Sequence, residues 1–322
     1  DPQRAPIYLT GKDGALRTWS LDQQKFTSTL QLGGSPSGVD VSADGKYLLV
    51  GNATALATGP STYAAEIVRV NLANQGVERF SIGLTDGYER GVADLAVTSN
   101  GKAFFTTHFA GSGWTPFRQF QVDAATPSFQ AVQGISSVTH ATQVEVSEDR
   151  RYILVQETDI SSGPLHIYDS QTGAVIARTD LFSFSVGSGF NTGTGDINSA
   201  AGLVVDVLYS AIYALDFKLK LVADLSPFLK GDVGSVTGGE FNSGGHQLFL
   251  WQGPLKNVLV IDTISWKEVG AFQIETSTGT GYIGAPHGPM EVIAGGKVLA
   301  MQSIDGLELV DLAEKLKISI VG

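Results

Sequence analysis

Three observations predict an all-β chain folded as a seven-bladed β-propeller. An apolar strand that ends in Asp or Asn recurs seven times, with spacings of 49, 52, 46, 47, 46 and 49 residues, at Asp22, Asn71, Asp123, Asp169, Asp216, Asp262 and Asp311. Between these strands lie pairs of apolar runs joined by short turns, and no stretch has the 3.6-residue periodicity of a helix. Repeats of roughly 40–50 residues with four short strands each are typical of propeller blades.

Each repeat divides into an inner, a second, a third and an outer strand. The hairpin Gly38–Val50 turns at Asp44-Gly45, and Asp-Gly is a strong signal for a tight turn between an inner and a second strand. Related turns lie at Asn100-Gly101, Asp149-Arg150, Ala201-Gly202, Gly244-Gly245 and Gly295-Gly296. The third strand ends at the repeated Asp or Asn, and runs such as Lys25–Leu32 follow it as outer strands. Because the Asp149-Arg150 turn lacks glycine, its turn type stays open.

The first repeat differs from the others. It begins at Ile7 without an inner strand before it, so the sequence has seven third strands but only six hairpins between an inner and a second strand. We expect a first blade of three strands, or a fourth strand contributed by residues outside this sequence, as in a domain of a longer protein. A single domain is predicted over residues 1–322, with blades at 7–32, 37–82, 91–133, 141–181, 194–226, 237–275 and 288–322.

Composition excludes several classes of function. The chain has 322 residues, 43% of them hydrophobic, and a net charge of −11, so a duplex or an anionic lipid surface would repel it. It has no cysteine, which excludes disulfides and thiolate sites. The sequence contains no run of about 18 apolar residues, so it predicts no transmembrane helix. The acidic, cysteine-free composition and the start at Asp1 favour a mature exported bacterial protein that is secreted, periplasmic or on the cell surface.

One repeat carries a family resemblance. The stretch Ser35–Asn52 reads S-P-S-G-V-D-V-S-A-D-G-K-Y-L-L-V-G-N. It resembles the repeat of the YVTN-type β-propellers, in which a proline-glycine start, V-S-x-D-G-K and an apolar strand ending in Asn recur; the other repeats match more loosely. That family includes surface-layer and exported binding proteins, lactonases and heavy subunits of amine dehydrogenases. The resemblance therefore implies fold more firmly than function.

We expect a ligand site at the loops on one side of such a propeller. There the loops that follow second strands meet the loops that lead to inner strands, around a central funnel. The predicted ligand-binding residues on this side are Tyr88, Glu89, Trp114, Asp196, Gln252, Tyr282 and Gln302. Trp114, in a Gly-Ser-Gly-Trp loop, is the exposed aromatic best suited to stack on a sugar or an aromatic ring.

Three of the five histidines fall on the same side. His108, His140 and His287 with Glu157 are candidate ligands of a divalent metal, either calcium or a transition metal. Without a metal, His140 or His287 could abstract a proton while Arg90 holds a substrate carboxylate. The alternative is that these histidines are scattered loop residues bonded to backbone carbonyls.

Carboxylates recur at one position of the inner strands. Asp40, Glu145, Glu240 and Glu291 lie at the same distance from the hairpin turns, where two other blades have Ala96 and Ile197. A water-filled channel that holds a cation such as calcium is one interpretation. The interpretation we favour is that each carboxylate accepts hydrogen bonds from a neighbouring blade and locks the blades together.

Two functions compete on this basis. The first is a non-catalytic binding module for a small molecule, a glycan or a protein. The second is an enzyme, a lyase or lactone hydrolase that uses the histidines with or without a metal. A third, the propeller subunit of a redox complex, lacks a visible residue for attaching a cofactor, and the sequence identifies no cofactor.

Overall fold

A computed structural model describes most of the chain. The described residues are 6–60, 62–84, 86–135, 137–140, 142–158, 160, 163–179, 192, 194–208, 211–228, 238–274, 290–303, 306–312 and 317–321, without the side chains of 254, 303 and 317–321. They form two compact units: Asp1–Glu157 with Tyr168–Val175 (unit 1), and Thr158–Ile167 with Ile176–Gly322 (unit 2). The predicted single domain, with its blade boundaries, stays a prediction.

The first three blade sheets lie in unit 1. The first holds β1 (Ile7–Thr10), β2 (Ala15–Ser20) and β3 (Lys25–Gln31), and the second holds β4 (Pro36–Val41), β5 (Tyr47–Ala57), β6 (Tyr63–Asn71) and β7 (Val77–Gly83). The third holds β8 (Glu89–Val97), β9 (Lys102–Phe109), β11 (Arg118–Gln121) and β12 (Gln130–Ala131). A separate two-stranded sheet pairs β10 (Trp114–Thr115) with β13 (Val138–Thr139).

The fourth sheet has residues in both units, and the last three lie in unit 2. The fourth holds β14 (Gln143–Val146), β15 (Tyr152–Gln156), β16 (Leu165–Asp169) and β17 (Ala174–Arg178), and the fifth holds β18 (Asp196–Asn198), β19 (Leu203–Val207), β20 (Ile212–Asp216) and β21 (Leu221–Asp224). The sixth holds β22 (Gly238–Phe241), β23 (Gln247–Gln252), β24 (Asn257–Asp262) and β25 (Lys267–Gln273), and the seventh holds β26 (Met290–Ile293), β27 (Val298–Ser303), β28 (Gly306–Asp311) and β29 (Lys317–Val321).

These seven antiparallel sheets confirm the predicted fold class, an all-β seven-bladed β-propeller. Besides strands, the described residues form only two short 3₁₀ turns, Ser226–Phe228 and Gly253–Leu255. No helix in this part of the chain has the length and apolarity to cross a membrane. Six sheets have four strands, whereas the first has three in the described residues, because β1 is already a second strand. The expectation of a first blade without its inner strand is confirmed for this part of the chain.

The repeated Asp or Asn has a local structural reason. The Asn71 side chain accepts the N–H of Ala73 at 3.0 Å, and the Asp216 side chain accepts the N–H of Lys218 at 2.8 Å. In both turns the carboxyl or amide oxygen therefore caps the backbone between a third and an outer strand, which is the Asx turn that these residues favour. Side-chain and backbone hydrogen bonds from Ser265 likewise lower the pKa of Asp262, which caps the corresponding turn of the sixth sheet.

The hydrophobic core lies between sheets that follow one another in the chain. In unit 1, Leu49 and Ile67 of the second sheet pack with Phe105 of the third. In unit 2, Val205 of the fifth sheet packs with Leu250 of the sixth. Outer strands such as β3 are mostly exposed, whereas second strands are buried in every sheet but the first, where β1 is half-buried. Inner strands range from half-buried, as in β4, to buried, as in β18.

Gly38 marks a close approach between the inner strands β4 and β8. A Cβ at this position of β4 would lie 2.3 Å from Asp94 Oδ1 and 2.5 Å from the backbone nitrogen of Leu95. Backbone and a hydrogen-bonded carboxylate cannot move away cheaply, so only glycine fits there.

We predict that Gly38→Ala lowers the free energy of unfolding by about 2–3 kcal/mol, as overpacking of a rigid site does. Gly83→Ala, in the outer strand β7 of the same sheet, is the matched control, because a Cβ there meets nothing within 4 Å. Urea denaturation of both variants measures the difference. An equal effect at the two positions would contradict the close packing of the inner strands.

Candidate functional site

Carboxylates connect the inner strands of unit 1 through the backbone. Asp40 of β4 accepts the N–H of its own neighbour Val41 at 2.7 Å through one oxygen, and the N–H of Val97 in β8 at 2.6 Å through the other. Asp94 of β8 repeats this arrangement and accepts the N–H of Val144 in β14 at 2.9 Å. Each carboxylate therefore bridges its own strand to the inner strand of the following sheet.

The same bridge occurs in unit 2. Asp196 of β18 accepts the N–H of Phe241 in β22 at 2.8 Å, and Glu240 of β22 accepts the N–H of Val292 in β26 at 3.1 Å. The locking interpretation is thereby confirmed for Asp40 and Glu240. Glu145 accepts the N–H of its neighbour Val146 at 3.0 Å, and Glu291 is exposed.

The assignment of Ile197 to the carboxylate position was wrong by one residue. Asp196 lies opposite Val205, two residues before the closing pair Asn198–Leu203, just as Asp40 lies opposite Leu49, two residues before the hydrogen-bonded pair Ser42–Tyr47. The left-handed glycine of this turn, Gly202, comes one residue later than Gly45 does in its own turn, so counting from the glycine shifts the register. Counted from the closing pair of the hairpin, the residue equivalent to Asp40 is therefore Asp196.

Burial changes the acidity of two aspartates. Desolvation raises the pKa of Asp94 to about 7, although the N–H groups of Val144 and Leu95 favour its charged form. Desolvation also raises the pKa of Asp206, a fully buried residue of β19, to about 7. Both carboxyl groups therefore titrate near neutral pH in the folded protein.

Arg150 fastens Asp40 from a hairpin of the fourth sheet. Its guanidinium nitrogens donate to the two Asp40 oxygens at 2.9 and 2.7 Å, and also to the Val97 carbonyl at 2.7 Å. Arg150 has φ +56°, and it occupies the turn position that Gly45 holds with φ +69°. A left-handed conformation costs a residue with a side chain about 1 kcal/mol. The contacts to Asp40 and Val97 offset this cost, which explains why the turn lacks glycine.

A buried ion pair supports the loops near the start of β8. Glu89 and Arg118 are both buried, and the guanidinium of Arg118 meets the two carboxylate oxygens at 2.5 and 3.1 Å. The Thr107 hydroxyl donates to the same carboxylate at 2.6 Å. Charged groups are stable in the interior when paired and hydrogen-bonded in this way. Glu89 thus contacts protein groups in this structure, and its predicted ligand contact stays a prediction.

Aromatic side chains cover the surface next to this ion pair. Tyr88 is 62% exposed, and its ring stacks on Phe109 with centroids 5.7 Å apart. The guanidinium of Arg90 lies 4.3 Å from the ring centroid of Tyr63 and donates to the Gly87 carbonyl at 2.8 Å. Two contacts, one between aromatic rings and one between a cation and a ring, therefore lie on either side of Glu89 in the sequence.

Trp114 follows a glycine that lies against the Phe109 ring. Its side chain is 55% exposed, and its strand β10 pairs with β13, where Trp114 lies opposite Thr139. A Cβ on the preceding residue, Gly113, would lie 2.4 Å from the Phe109 ring, so the backbone of this loop lies directly on that ring. We call Tyr63, Tyr88, Arg90, Phe109 and Trp114 the aromatic surface.

The predicted histidine and glutamate sites lie near the aromatic surface. His140 is half-buried and donates its backbone N–H to the Gly113 carbonyl at 3.2 Å. Glu157 is buried, and its carboxylate accepts the N–H of Thr139 at 2.9 Å. His108 is half-buried near the end of β9. In the described part of the chain, no three His, Cys, Asp or Glu side chains are grouped to hold a metal ion.

The other predicted ligand-binding residues lie in unit 2 or outside the described residues. Asp196 is buried in the bridge to Phe241, and Gln252 is buried with its amide donating to the Phe228 carbonyl at 3.2 Å. Gln302 is exposed on β27. Tyr282 and His287 fall in 275–289, outside the described residues. The ligand, catalytic and metal roles of all these residues stay predictions.

Comparisons with known proteins identify the fold alone. No protein-family model matches the sequence, and no curated protein matches it. The structure is similar to a chain of the mitotic checkpoint complex (TM-score 0.67, 12% identity, covering 95% of this chain and 83% of that chain). It is also similar to the Cps50 (Swd1) β-propeller domain of Myceliophteria thermophila (TM-score 0.64, 11% identity, 96% and 93%). A third similar structure is the Kuenenia stuttgartiensis hydrazine synthase (TM-score 0.67, 11% identity, 97% and 94%). The β-propeller fold agrees with the resemblance seen in the sequence, whereas membership of the YVTN type stays a prediction.

We predict that Arg150 and Asp40 are energetically coupled. In a double-mutant cycle with Arg150→Gly and Asp40→Asn, the coupling free energy should be about 1–3 kcal/mol, because the partly buried pair is bidentate. The exposed pair Lys46–Asp44, whose side chains are 71% and 49% exposed, is the matched control and should couple more weakly. Equal coupling in the two cycles, measured by urea denaturation, would show that the bidentate contact of Arg150 with Asp40 is no stronger than an exposed ion pair.

We also predict a pH signature of Asp206. Because its pKa is about 7 in the folded protein and about 4 in an unfolded chain, its contribution to stability is complete below pH 4 and lost as the pH rises through 7. Asp206→Asn should therefore gain stability relative to the wild type between pH 4 and pH 8, by an amount on the order of 4 kcal/mol. The exposed Asp123→Asn is the control. A constant difference between Asp206→Asn and the wild type across this range would contradict the raised pKa.

Proposed function

We propose that the protein is a non-catalytic binding module that recognises an oligosaccharide through the aromatic surface of unit 1. The observation that carries this proposal is a pair of exposed rings: Tyr88, which stacks on Phe109, and Trp114, whose neighbour Gly113 lies against the same Phe109 ring. Aromatic faces that already sit in fixed positions can stack on the apolar face of a sugar ring without a further loss of conformational entropy.

The surroundings of the rings supply hydrogen-bonding groups. Arg90 lies between Tyr63 and the Gly87 carbonyl, and His140 follows Thr139, the strand partner of Trp114. Such groups suit the hydroxyls of a sugar, which need partners around the stacked ring. An exported or cell-surface setting, where glycans are abundant, belongs to the same proposal.

A protein partner is the second candidate. The aromatic surface combines tryptophan, tyrosine and arginine, the three residue types most enriched among the residues that dominate protein–protein binding energy. Both candidates use the same side chains, so the experiment has to distinguish them by the ligand bound. The alternative, an enzyme that uses His140 or His287 with Arg90, stays a prediction: His287 lies outside the described residues, and no three described His, Cys, Asp or Glu side chains are grouped to hold a metal ion.

We predict that the protein binds a subset of oligosaccharides on a glycan array, and that Trp114→Ala and Tyr88→Ala each weaken binding roughly tenfold, the loss expected from one stacking contact. Ile264→Ala is the matched control, because Ile264 is 79% exposed but lies in unit 2. Isothermal titration calorimetry measures the affinities, and circular dichroism checks that the variants stay folded.

The outcomes separate the candidates. Glycan binding that survives both substitutions would show that the aromatic surface is not the site. Absence of glycan binding, together with loss of a protein complex in Trp114→Ala and Tyr88→Ala but not in Ile264→Ala, would replace the oligosaccharide with a protein partner.

A further inference from the structure

Arg90 differs from the other described arginines of unit 1 because no described carboxylate pairs with it. Each of the others pairs with an aspartate or a glutamate, in the pairs Arg17–Asp13, Arg69–Glu78, Arg79–Glu66, Arg118–Glu89, Arg150–Asp40 and Arg151–Asp169. Arg90 forms no ion pair with any described residue. The chain has 32 acidic but only 21 basic side chains, so a shortage of carboxylates does not explain this difference.

Three contacts hold the Arg90 guanidinium in place. Its carbon lies 4.3 Å from the ring centroid of Tyr63, and its Nη1 donates to the carbonyls of Gly87 and Glu89, at 2.8 Å each. Gly87 and Glu89 are the two neighbours of Tyr88 in the chain, so the guanidinium lies against the backbone on either side of Tyr88. A cation that is already held in this way loses little further freedom when a ligand binds.

One edge of this guanidinium remains available to a ligand. The Nε and Nη2 atoms of Arg90 donate to no described residue, and neither atom is buried. In Arg151 the same two nitrogens donate to the Asp169 carboxylate, at 3.2 and 2.7 Å. In Arg69 they contact the Glu78 carboxylate, both at 2.8 Å. The free edge of Arg90 is therefore the edge that binds a carboxylate in two other arginines of unit 1.

We propose that the free edge of Arg90 binds an anionic group of the ligand, a carboxylate or a sulfate, and that the oligosaccharide is therefore an acidic one. The sugar is then a uronic acid or a sulfated sugar, whose ring stacks on Tyr88 while its anionic substituent pairs with Arg90. This inference rests on the proposed function, since it names the class of oligosaccharide that the aromatic surface recognises.

The net charge of the chain limits how many anionic groups the ligand carries. A polyanion is repelled by the whole protein, whose net charge is −11. A single anionic group on Arg90 interacts mainly with its near neighbours, because charges farther away than about 8 Å are largely screened at physiological ionic strength. Of the two acidic residues next to Tyr88, Glu89 is paired with Arg118, and Asp86 accepts the Tyr88 N–H at 2.7 Å. We therefore expect isolated acidic sugars and not a densely charged polysaccharide.

Matched pairs of sugars provide the first test. Each acidic oligosaccharide that binds on the glycan array is compared with its neutral form, which is the methyl ester of a uronic acid or the desulfated form of a sulfated sugar. We expect the acidic form to bind about 10–100-fold more tightly in isothermal titration calorimetry, the gain typical of a charge-assisted contact. Equal affinity for the acidic and neutral forms would overturn the proposal.

Substitution of Arg90 provides the second test. Arg90→Gln should lower the affinity for the acidic form at least about tenfold more than the affinity for the neutral form. Arg90→Lys should restore only part of the preference, because an ammonium group cannot form two parallel hydrogen bonds. Arg17→Gln removes the same charge from a paired arginine of unit 1 and is the matched control. An equal loss of preference in Arg17→Gln would assign the effect to net charge and contradict a site at Arg90.

A small anion tests Arg90 in the absence of any sugar. The Nε–H resonance of Arg90, assigned by its loss in Arg90→Lys, is followed by NMR as sodium sulfate or sodium acetate is added at constant ionic strength. We expect a saturable shift at millimolar concentrations. The resonance of Arg151, whose Nε already donates to Asp169, should shift less. An Arg90 resonance that stays unchanged up to about 100 mM of either anion would count against the proposal.

These outcomes distinguish the anion site from the proposed function. Sugars that bind through Trp114 and Tyr88 with equal affinity in their acidic and neutral forms would support the aromatic surface and overturn the role of Arg90. Saturable binding of sulfate or acetate at Arg90, when no oligosaccharide binds, would support the anion site and overturn the oligosaccharide as its ligand.

Discussion

The hydrogen bond from a backbone N–H to a carboxylate of the preceding inner strand is the constraint on which the propeller depends. Apolar packing between sheets is non-directional and would tolerate sliding of one sheet against the next. A carboxylate that binds its own strand and the next one at 2.6–2.9 Å, as Asp40 and Asp94 do, allows one alignment of the two backbones. The absence of a side chain at Gly38 permits the approach that these short bonds require. The carboxylates thus fix the alignment of neighbouring inner strands, whereas apolar packing contributes most of the stabilising free energy.

Much of the fold can be predicted because the repeated residues have local roles. Asp or Asn at the end of a third strand forms an Asx turn with the backbone that follows it. The residue type therefore recurs in the sequence wherever this turn recurs in the fold. The turn at Arg150 has no glycine, and the arginine there pairs with Asp40, 110 residues away in the sequence. A local sequence pattern cannot reveal such a long-range pair. The bridging role of Asp94 was missed because this carboxylate lies two residues before Ala96, the residue that a count from the hairpin turn selects.

The candidate site was predictable only in part. Glycines around Trp114 indicate a tight loop, and the structure leaves that ring exposed. A position near the end of a strand does not reveal the direction of the side chain. That direction decides whether Glu89 contacts a ligand or pairs with Arg118, as it does in this structure. The arginine that buries Glu89 lies on β11, 29 residues further along the chain. Long-range charge pairing is therefore the information that a strand pattern lacks.

The aromatic surface combines a fixed backbone with exposed rings. Glu89, the residue after Tyr88, is buried and paired with Arg118, whereas the Tyr88 ring is 62% exposed and stacks on Phe109. Trp114 is 55% exposed, and its backbone is fixed by the pairing of β10 with β13. A ring on a backbone that is already ordered loses only its own side-chain freedom when a ligand binds, and this small entropy cost favours recognition of a small ligand.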